Sequence, residues 1–490
     1  MINRILLLMN VLFLVTTVCF ASDDAFSTKA SSRLIGKSKV IAISPDKRKV
    51  AVVEEATFKL KYHLVINGKA GKDYRLIIPQ SIVFSPDSEK VAYFGLEKKK
   101  NFLVIDKDEV RIFDRAKEYP LFSPDSKRCG LMVKDGNQWS VFITGETESK
   151  TYRDVKNLKF SPDGSRFGYL AQRFDGRWVV VIDKVESPPY EMIYWFDFSP
   201  NGKRVAYCIK KDGKDTVVVD GKAEKSYDAV STVDYKFSPD NSRFVYLAKK
   251  NNRWLVVNNQ KESNPGDETV LESLGYSHRL LYTGIVGNKQ MLVVDGEPQK
   301  LYDKVEFKSI IQTKERLIYC AVNNGEWVMV VNGKEIGKYD GIFSTVISKD
   351  GQHLAYKAQR GEKFLMVVDG VEHSIWDNVH NFIFSADGKN NAYIGVYNKK
   401  QVLVRNAREE KEFSNINGES LMFSPDGTYL VYEVNGFLGE GIYVNRRKCG
   451  TFVGVVSGFF FETNNRFRFI SVQKTNYFWA CIDNVITIKE

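Results

Sequence analysis

The sequence predicts an all-β chain, a tandem β-propeller of about twelve four-stranded blades, and three observations predict it. The first is a recurring phrase, Phe-Ser-Pro-Asp followed by Gly, Ser or Asn. It stands at 84–88, 122–126, 160–164, 237–241 and 423–427, and as FSPNG at 198–202, with looser copies at 43–47, 347–351 and 384–388. The second is an apolar run after each copy that carries a tyrosine eight residues past the serine: Tyr93, Tyr169, Tyr207, Tyr246, Tyr356, Tyr393 and Tyr432. The third is an Asp-Gly or Asn-Gly pair between two such runs, as in Asn67-Gly68, Asp220-Gly221, Asp295-Gly296, Asn332-Gly333 and Asp369-Gly370.

One unit can be read strand by strand between 233 and 276. Asp234–Phe237 forms a short first strand ending in a core phenylalanine. Ser238-Pro239-Asp240-Asn241 turns the chain, since proline suits the second turn position and Asp or Asn tolerates the rest. Arg243–Lys249 and Arg253–Val257 are the second and third strands. The Asx-Gly pair that ends the third strand in other units is a strong hairpin signal, because that turn needs positive φ at both positions. A fourth strand follows and carries an aromatic–acid pair: Tyr227-Asp228, Tyr302-Asp303, Tyr339-Asp340, Trp376-Asp377. Each aromatic is read as packing between blades and each acid as bonding a nearby backbone amide. Aligned on the tyrosine, the units recur every 36 to 41 residues and number twelve. A small sheet that is apolar on both faces needs a neighbour on each side, and a ring supplies both. A linear β-solenoid is the alternative, with shorter coils and without tight Asx-Gly hairpins.

The pattern Phe-Ser-Pro-Asp-Gly, followed three residues on by Val/Leu-Ala-Tyr, resembles the WD40-like PD40 repeat of TolB-like β-propellers, over about residues 31–490. Related repeats occur in the propellers of prolyl-oligopeptidase-type and tricorn-type proteases. The resemblance implies the fold and an envelope-located, protein-binding relative; the motif itself says almost nothing of function.

The N-terminus is separate from the repeats. Arg4 precedes the apolar run Ile5–Phe20, and Val18-Cys19-Phe20-Ala21 closes it, which reads as a secretory signal peptide cut after Ala21. An uncleaved anchor is the competing reading, but the run is short for the ~20 apolar residues of a span. Export to the periplasm or beyond follows, with no transmembrane span after cleavage. Five cysteines then remain, Cys129, Cys208, Cys320, Cys449 and Cys481, an odd number that implies no disulfide framework. Cys208 and Cys320 follow the repeat tyrosine and read as core residues. The net charge of +11 is spread through the turns. No basic run is interleaved with stacking aromatics, so nucleic acid is not expected as a partner.

Twelve blades exceed the usual four to eight of one ring, so two six-bladed rings are expected, residues 22–265 and 266–490, with five plus seven or one oversized ring as the alternatives. Two features place that boundary. Asn258–Glu268 is polar and turn-rich. Five residues after the motif serine stand six bases, Lys49, Lys90, Arg128, Arg166, Arg204 and Arg243, whereas later units have His353, Asn390 and Tyr429 there. On one face of a ring these bases would form a collar for an acidic partner or a polyanionic glycan. A local reading competes: each pairs with the motif aspartate three residues before it, an exposed pair contributing ~0–1 kcal/mol. First strands line a propeller's channel, which makes Lys159, Trp195, Asp197, Asp234 and Lys236 candidate lining residues.

No catalytic or metal residues are assigned. The string G-x-S-x-G is absent, Gly454–Gly458 having the wrong spacing. Five histidines, His63, His278, His353, His373 and His380, show no ligand spacing, so neither metal nor cofactor is expected. The Ser-Pro-Asp-Gly turn also fails as a sialidase-type Asp box. The functional expectation is therefore a non-enzymatic exported scaffold that binds another protein. Alternatives are a propeller that binds carbohydrate, cell-wall polymer or another anionic ligand, and a propeller lyase or hydrolase with an unrecognised site.

Overall fold

The computed structural model describes residues 27–36, 40–46, 48–56, 61–263, 275–276, 279–435, 440–452, 460–474 and 479–489. The expected signal peptide lies outside them, as do His278 and the polar stretch from 264 onward. Every described element is a β-strand, and the strands form twelve antiparallel sheets. Eleven follow chain order and are numbered here as blades: 40–70, 76–113, 115–143, 154–186, 192–227, 229–263, 275–302, 304–339, 341–376, 378–413 and 416–452. The all-β multi-blade propeller read from the sequence is the fold observed.

Blade six shows the construction. Its strands are Ala229–Phe237, Phe244–Lys250, Arg253–Asn258 and Lys261–Ser263, paired in that order. The first strand starts five residues earlier than read from the sequence, because it contains a bulge between Val230 and Tyr235. Such register slips recur in the first strands, at Ile78/Val83, Lys156/Lys159 and Glu306/Ile311 among others.

The hairpin dipeptides have a structural task beyond their positive φ. The side-chain oxygen of each Asx accepts the N–H that opens the second strand of its own blade: Asp183 from Phe167 at 3.0 Å, Asp220 from Val205 at 3.0 Å, Asn332 from Leu317 at 2.8 Å, Asp369 from Leu354 at 2.9 Å. One side chain thus supplies the turn and satisfies a backbone donor at the sheet end.

Neighbouring blades share cores. Val245, Leu247 and Val256 of blade six pack with Leu280, Tyr282, Met291 and Val293 of blade seven. The fourth-strand aromatic of one blade meets the tyrosine of the next edge-to-face: Tyr152–Tyr169 at 6.1 Å, Tyr227–Tyr246 at 6.1 Å, Tyr302–Tyr319 at 6.3 Å. The acid beside it accepts a backbone amide from the next blade's second hairpin, as Asp228 does from Asn251 and Asp377 from Asn398. The aromatic–acid pairs are therefore an inter-blade joint. Cys129, Cys208, Cys320 and Cys449 are buried thiols, with burial holding the Cys208 thiol well above its ordinary value.

Blade twelve is made from both ends of the chain. Its strand order is Ser27–Gly36, Trp479–Lys489, Arg466–Lys474, Phe460–Thr463. The N-terminal strand takes the outer position and runs antiparallel to 479–489 from the Ser27–Lys489 pair to Gly36–Cys481.

Contacts divide the chain into two compact units. One comprises Tyr74–Tyr339 with Ser44–Asp46 and holds blades two to eight; the other holds the remaining described residues and blades one and nine to twelve. Residue 265, where the sequence places the boundary of two six-bladed rings, lies outside the described residues; the blades before and after it, six and seven, share a core.

Candidate functional site

Two sets of residues were candidates: the basic register after each turn and the first-strand residues of blades four to six. The Ser-Pro-Asp turn fixes the first set. In blade four, Ser161 is fully buried. Its hydroxyl donates to Asp163 Oδ1 at 2.5 Å and accepts the Arg166 N–H at 2.9 Å, and Gly164 N–H closes the turn on Ser161 O at 2.8 Å. The fourth turn residue has positive φ: 73° at Gly164, 62° at Ser126, 64° at Asn241. Gly164 is further required because a Cβ there would lie 2.6 Å from Asp125 of the preceding turn.

The motif aspartate is thus occupied by its own serine, and the base beyond it goes elsewhere. Arg166 Nε binds Asp183 at 2.7 Å, on the hairpin of its own blade, and Nη1 donates to Gly202 O and Lys203 O of the next blade's turn at 3.3 and 3.2 Å. Arg204 repeats this with Asp220 at 2.8 Å, Asn241 O at 2.9 Å and Ser242 O at 3.1 Å. Each guanidinium covers the motif phenylalanine of the next blade, 5.7 Å from Phe198 and 5.4 Å from Phe237. Arg128 donates to Gly164 O and covers Phe160; Lys90 Nζ reaches Ser126 O at 3.4 Å. Arg243 donates its main-chain N–H to Ser238 Oγ, and Lys49 occupies the same place before Val50. Lys90, Arg128, Arg166 and Arg204 thus staple their blades to the next turn.

The register also continues past unit six. Three residues before the blade tyrosine stand Arg279, Arg316 and His353. Arg279 Nε binds Asp295 at 3.0 Å as Arg204 binds Asp220, and His353 Nδ1 meets Asp369 at 2.7 Å. Blade ten has Asn390 there, yet Arg405 from its third strand reaches Gly427 O and Thr428 O at 3.4 and 3.3 Å and covers Phe423 at 5.5 Å. The change of residue type at units nine and ten therefore does not end the contact. The three late histidines go to separate places: His353 to Asp369, His373 against the Tyr393 ring, His380 to Asn381.

The serine holds the motif carboxyls low. Asp163 and Asp240 are lowered to about 2, first by the hydroxyl bonds of Ser161 and Ser238. A depressed carboxyl contributes stability above its ordinary value near 3.8, and that contribution is lost as pH falls toward about 2. Ser161→Ala is expected to return the Asp163 carboxyl toward 3.8, read by its NMR titration. It is also expected to cost about 1–3 kcal/mol at pH 7, because the Arg166 amide loses its acceptor. The gap between variant and wild type should narrow as the pH approaches 2, and a gap independent of pH would refute the assignment.

The second set lies along the first strands of blades four to six. Lys159 Nζ donates to Phe196 O at 3.1 Å and pairs with Asp197 at 3.4 Å. Trp195 is buried, stacks on Tyr235 at 3.7 Å and 11°, and donates its indole N–H to Ser231 O at 3.2 Å. Asp234 accepts the Ser231 hydroxyl at 2.8 Å, and Lys236 is exposed. The structure thus pairs Lys159 with Asp197, and links Trp195 to Asp234 through Ser231. It adds two residues that sequence reasoning passed over. Tyr235 has its phenol pushed up to about 12 by burial and then by the Asp197 charge. Val233, on the Val230/Tyr235 bulge, is 80% exposed. The bulge has a sequence signal: 19 residues separate Tyr227 from Tyr246, against 17 between Tyr190 and Tyr207.

No protein-family model matches the chain, and no curated protein matches it. Solved structures do. The β-propeller domain of the Trilobed protease from Pyrococcus furiosus aligns at 14% identity over 51% of this chain and 93% of its own, with a TM-score of 0.25. The chain has a β-propeller fold. TolB from Acinetobacter baumannii aligns at 15% identity over 59% of this chain and 77% of its own, TM-score 0.21. The dihydro-heme d1 dehydrogenase NirN aligns at 14% identity over 58% and 72%, TM-score 0.28. These likenesses speak to fold alone. They correct one expectation: a protease domain and a dehydrogenase stand beside TolB, so a propeller of this kind does not exclude catalysis, and the reading of the chain as non-enzymatic is withdrawn.

Proposed function

We propose that this chain is an exported propeller of PD40-like, TolB-like repeats that binds another protein in the periplasm or cell envelope through its first-strand edges. The signal-peptide reading of residues 1–21 supports the compartment. One contrast carries the choice of partner. The arginines best placed to attract a polyanion, Arg128, Arg166 and Arg204, spend their donors on neighbouring turns and acids. The first strands, with the break in that of blade three, instead leave apolar side chains in solvent: Tyr119, Leu121, Met192 and Val233. Exposed apolar groups beside charged ones suit a protein surface better than a glycan phosphate or carboxylate.

A photo-crosslinking amino acid at Val233, in the full chain exposed to envelope extract, is expected to give a discrete protein adduct. Charge reversal at Arg128, Arg166 and Arg204 should leave that adduct in place. No adduct, together with retention on an anionic cell-wall polymer that the charge reversals abolish, would overturn the reading in favour of a glycan binder.

A further inference from the structure

We propose that the groove between blades two and three is the seat of an extended protein segment, which buries one aromatic or branched apolar side chain there. The proposal rests on the protein-binding reading above and gives it an address. Blade three departs from its neighbours in its first strand, which is in two pieces. Arg115–Ala116 pairs with Val133–Lys134, Leu121–Phe122 pairs with Cys129–Gly130, and Lys117–Pro120 leaves the ladder between them. Pro120 has no N–H to give to a ladder, so the break is written into the sequence.

In blades two, eight and eleven the equivalent irregularity is sealed by a serine. Ser81, Ser309 and Ser420 accept the N–H of Phe94, Cys320 and Glu433 and donate back to the carbonyls of Ile78, Glu306 and Asn417. Blade three has Lys-Glu-Tyr-Pro in that place, and a cavity of about 580 Å³ opens beside it. Its floor is Phe94 and Phe113, 5.1 Å apart and edge-to-face, with Ile78 beside them. Tyr119 stands over it, 6.4 Å from Phe94 and 51% exposed.

The free hydrogen-bonding groups select a polypeptide. Asn101 and Asp114 on the rim are already engaged, Asn101 with the Asp114 carbonyl and Asp114 with Lys100 and the Gly136 N–H. Lys117 is held by Asp154 and the Val155 carbonyl. Among the described residues, by contrast, Glu118 and Tyr119 make no hydrogen bond with main chain or side chain, and the Arg115 guanidinium has no partner. An extended segment can exchange main-chain bonds with Glu118–Tyr119 while one side chain enters the apolar floor. Arg115 and Glu118, opposite in sign, set the direction of the segment, an acidic residue lying toward Arg115.

The test is a phage library of random peptides panned on the full chain, with enriched peptides measured by fluorescence anisotropy. Enriched peptides are expected to share one aromatic or branched apolar residue with an acid nearby. Tyr119→Ala should weaken them at least ten-fold without moving the melting temperature, and panning on Arg115→Glu should replace the acid by a base. Binding indifferent to both variants overturns the proposal. Peptides lost with Val233→Asp but not with Tyr119→Ala overturn this location and leave the protein-binding reading intact. The same holds if no peptide is enriched while the Val233 adduct still forms; failure of both experiments sinks both readings.

Discussion

A chain lacking Ser27–Gly36 is expected to lose blade twelve and to aggregate. The deleted strand is the outer strand of a sheet whose other three strands lie at the opposite end of the sequence, and nine residue pairs hold it from Ser27–Lys489 to Gly36–Cys481. At about 0.5–1.5 kcal/mol net for each ladder hydrogen bond, the loss is on the order of 5 kcal/mol. That is a large share of the ~5–15 kcal/mol by which a domain is stable. It also bares one edge of Trp479–Lys489, a long strand with unpaired donors and acceptors. The core behind that sheet is shared, since Phe467, Phe469, Ile486 and Ile488 pack with Val431, Ile442 and Val444 of blade eleven, so the damage should spread. Calorimetry should show a melting temperature lower by about 10 °C or more, and sedimentation should show oligomers. A circular permutant supplies the control. Lys489 and Ser27 are paired partners, so a short linker can join them, with new ends opened in the exposed hairpin at Asp212-Gly213. This permutant should melt within a few degrees of wild type. A deletion that melted like wild type would mean that the strand does not hold the blade.

Most of the fold was legible because a repeat states its own length. The phrase at 237–241 and the tyrosine at 246 give the strand pair of blade six within a few residues, since turn chemistry and apolar alternation are local properties. Blade twelve could not be read so. Its outer strand shares no motif with the strands it joins, and its place depends on a pairing across more than four hundred residues. The basic register was half legible. Counted from the serine it stops at Arg243, because units seven and eight lack the Ser-Pro-Asp turn; counted back from the tyrosine it reaches Arg279, Arg316 and His353. Arg405 could not be found by any register, since it arrives at the same carbonyls from a different strand. Proximity in sequence favours the motif aspartate as partner of each base, whereas the fold also puts a hairpin acid and the next turn within reach of Arg166 and Arg204. The groove beside Tyr119 had a signal, a Pro within a strand pattern, but the apolar floor under it is assembled from blade two and is not visible in the sequence around Pro120.

Removing two successive staples should have the second largest effect. In the double variant Arg166→Ala, Arg204→Ala, blade five loses its guanidinium contacts with blades four and six together. The ion pairs with Asp183 and Asp220 are partly exposed and contribute only ~0–1 kcal/mol each. The carbonyls of the following turns matter more, because charge-assisted hydrogen bonds are worth about 1.5–3 kcal/mol, and the cover over Phe198 and Phe237 adds about 0.5–1 kcal/mol. A loss of about 2–4 kcal/mol per site is expected, read as a lower urea midpoint with an unchanged slope. Arg166→Lys should recover little, since one ammonium cannot span the Asp183 carboxylate and two carbonyls together. Arg405→Ala decides whether the contact or the register matters. It sits outside the register but makes the same bonds to Gly427, Thr428 and Phe423, so it should destabilise as much as Arg166→Ala. If Arg405→Ala is neutral while Arg166→Ala is costly, the stabilisation belongs to the register position, through its hairpin acid, and the carbonyls of the next turn contribute little.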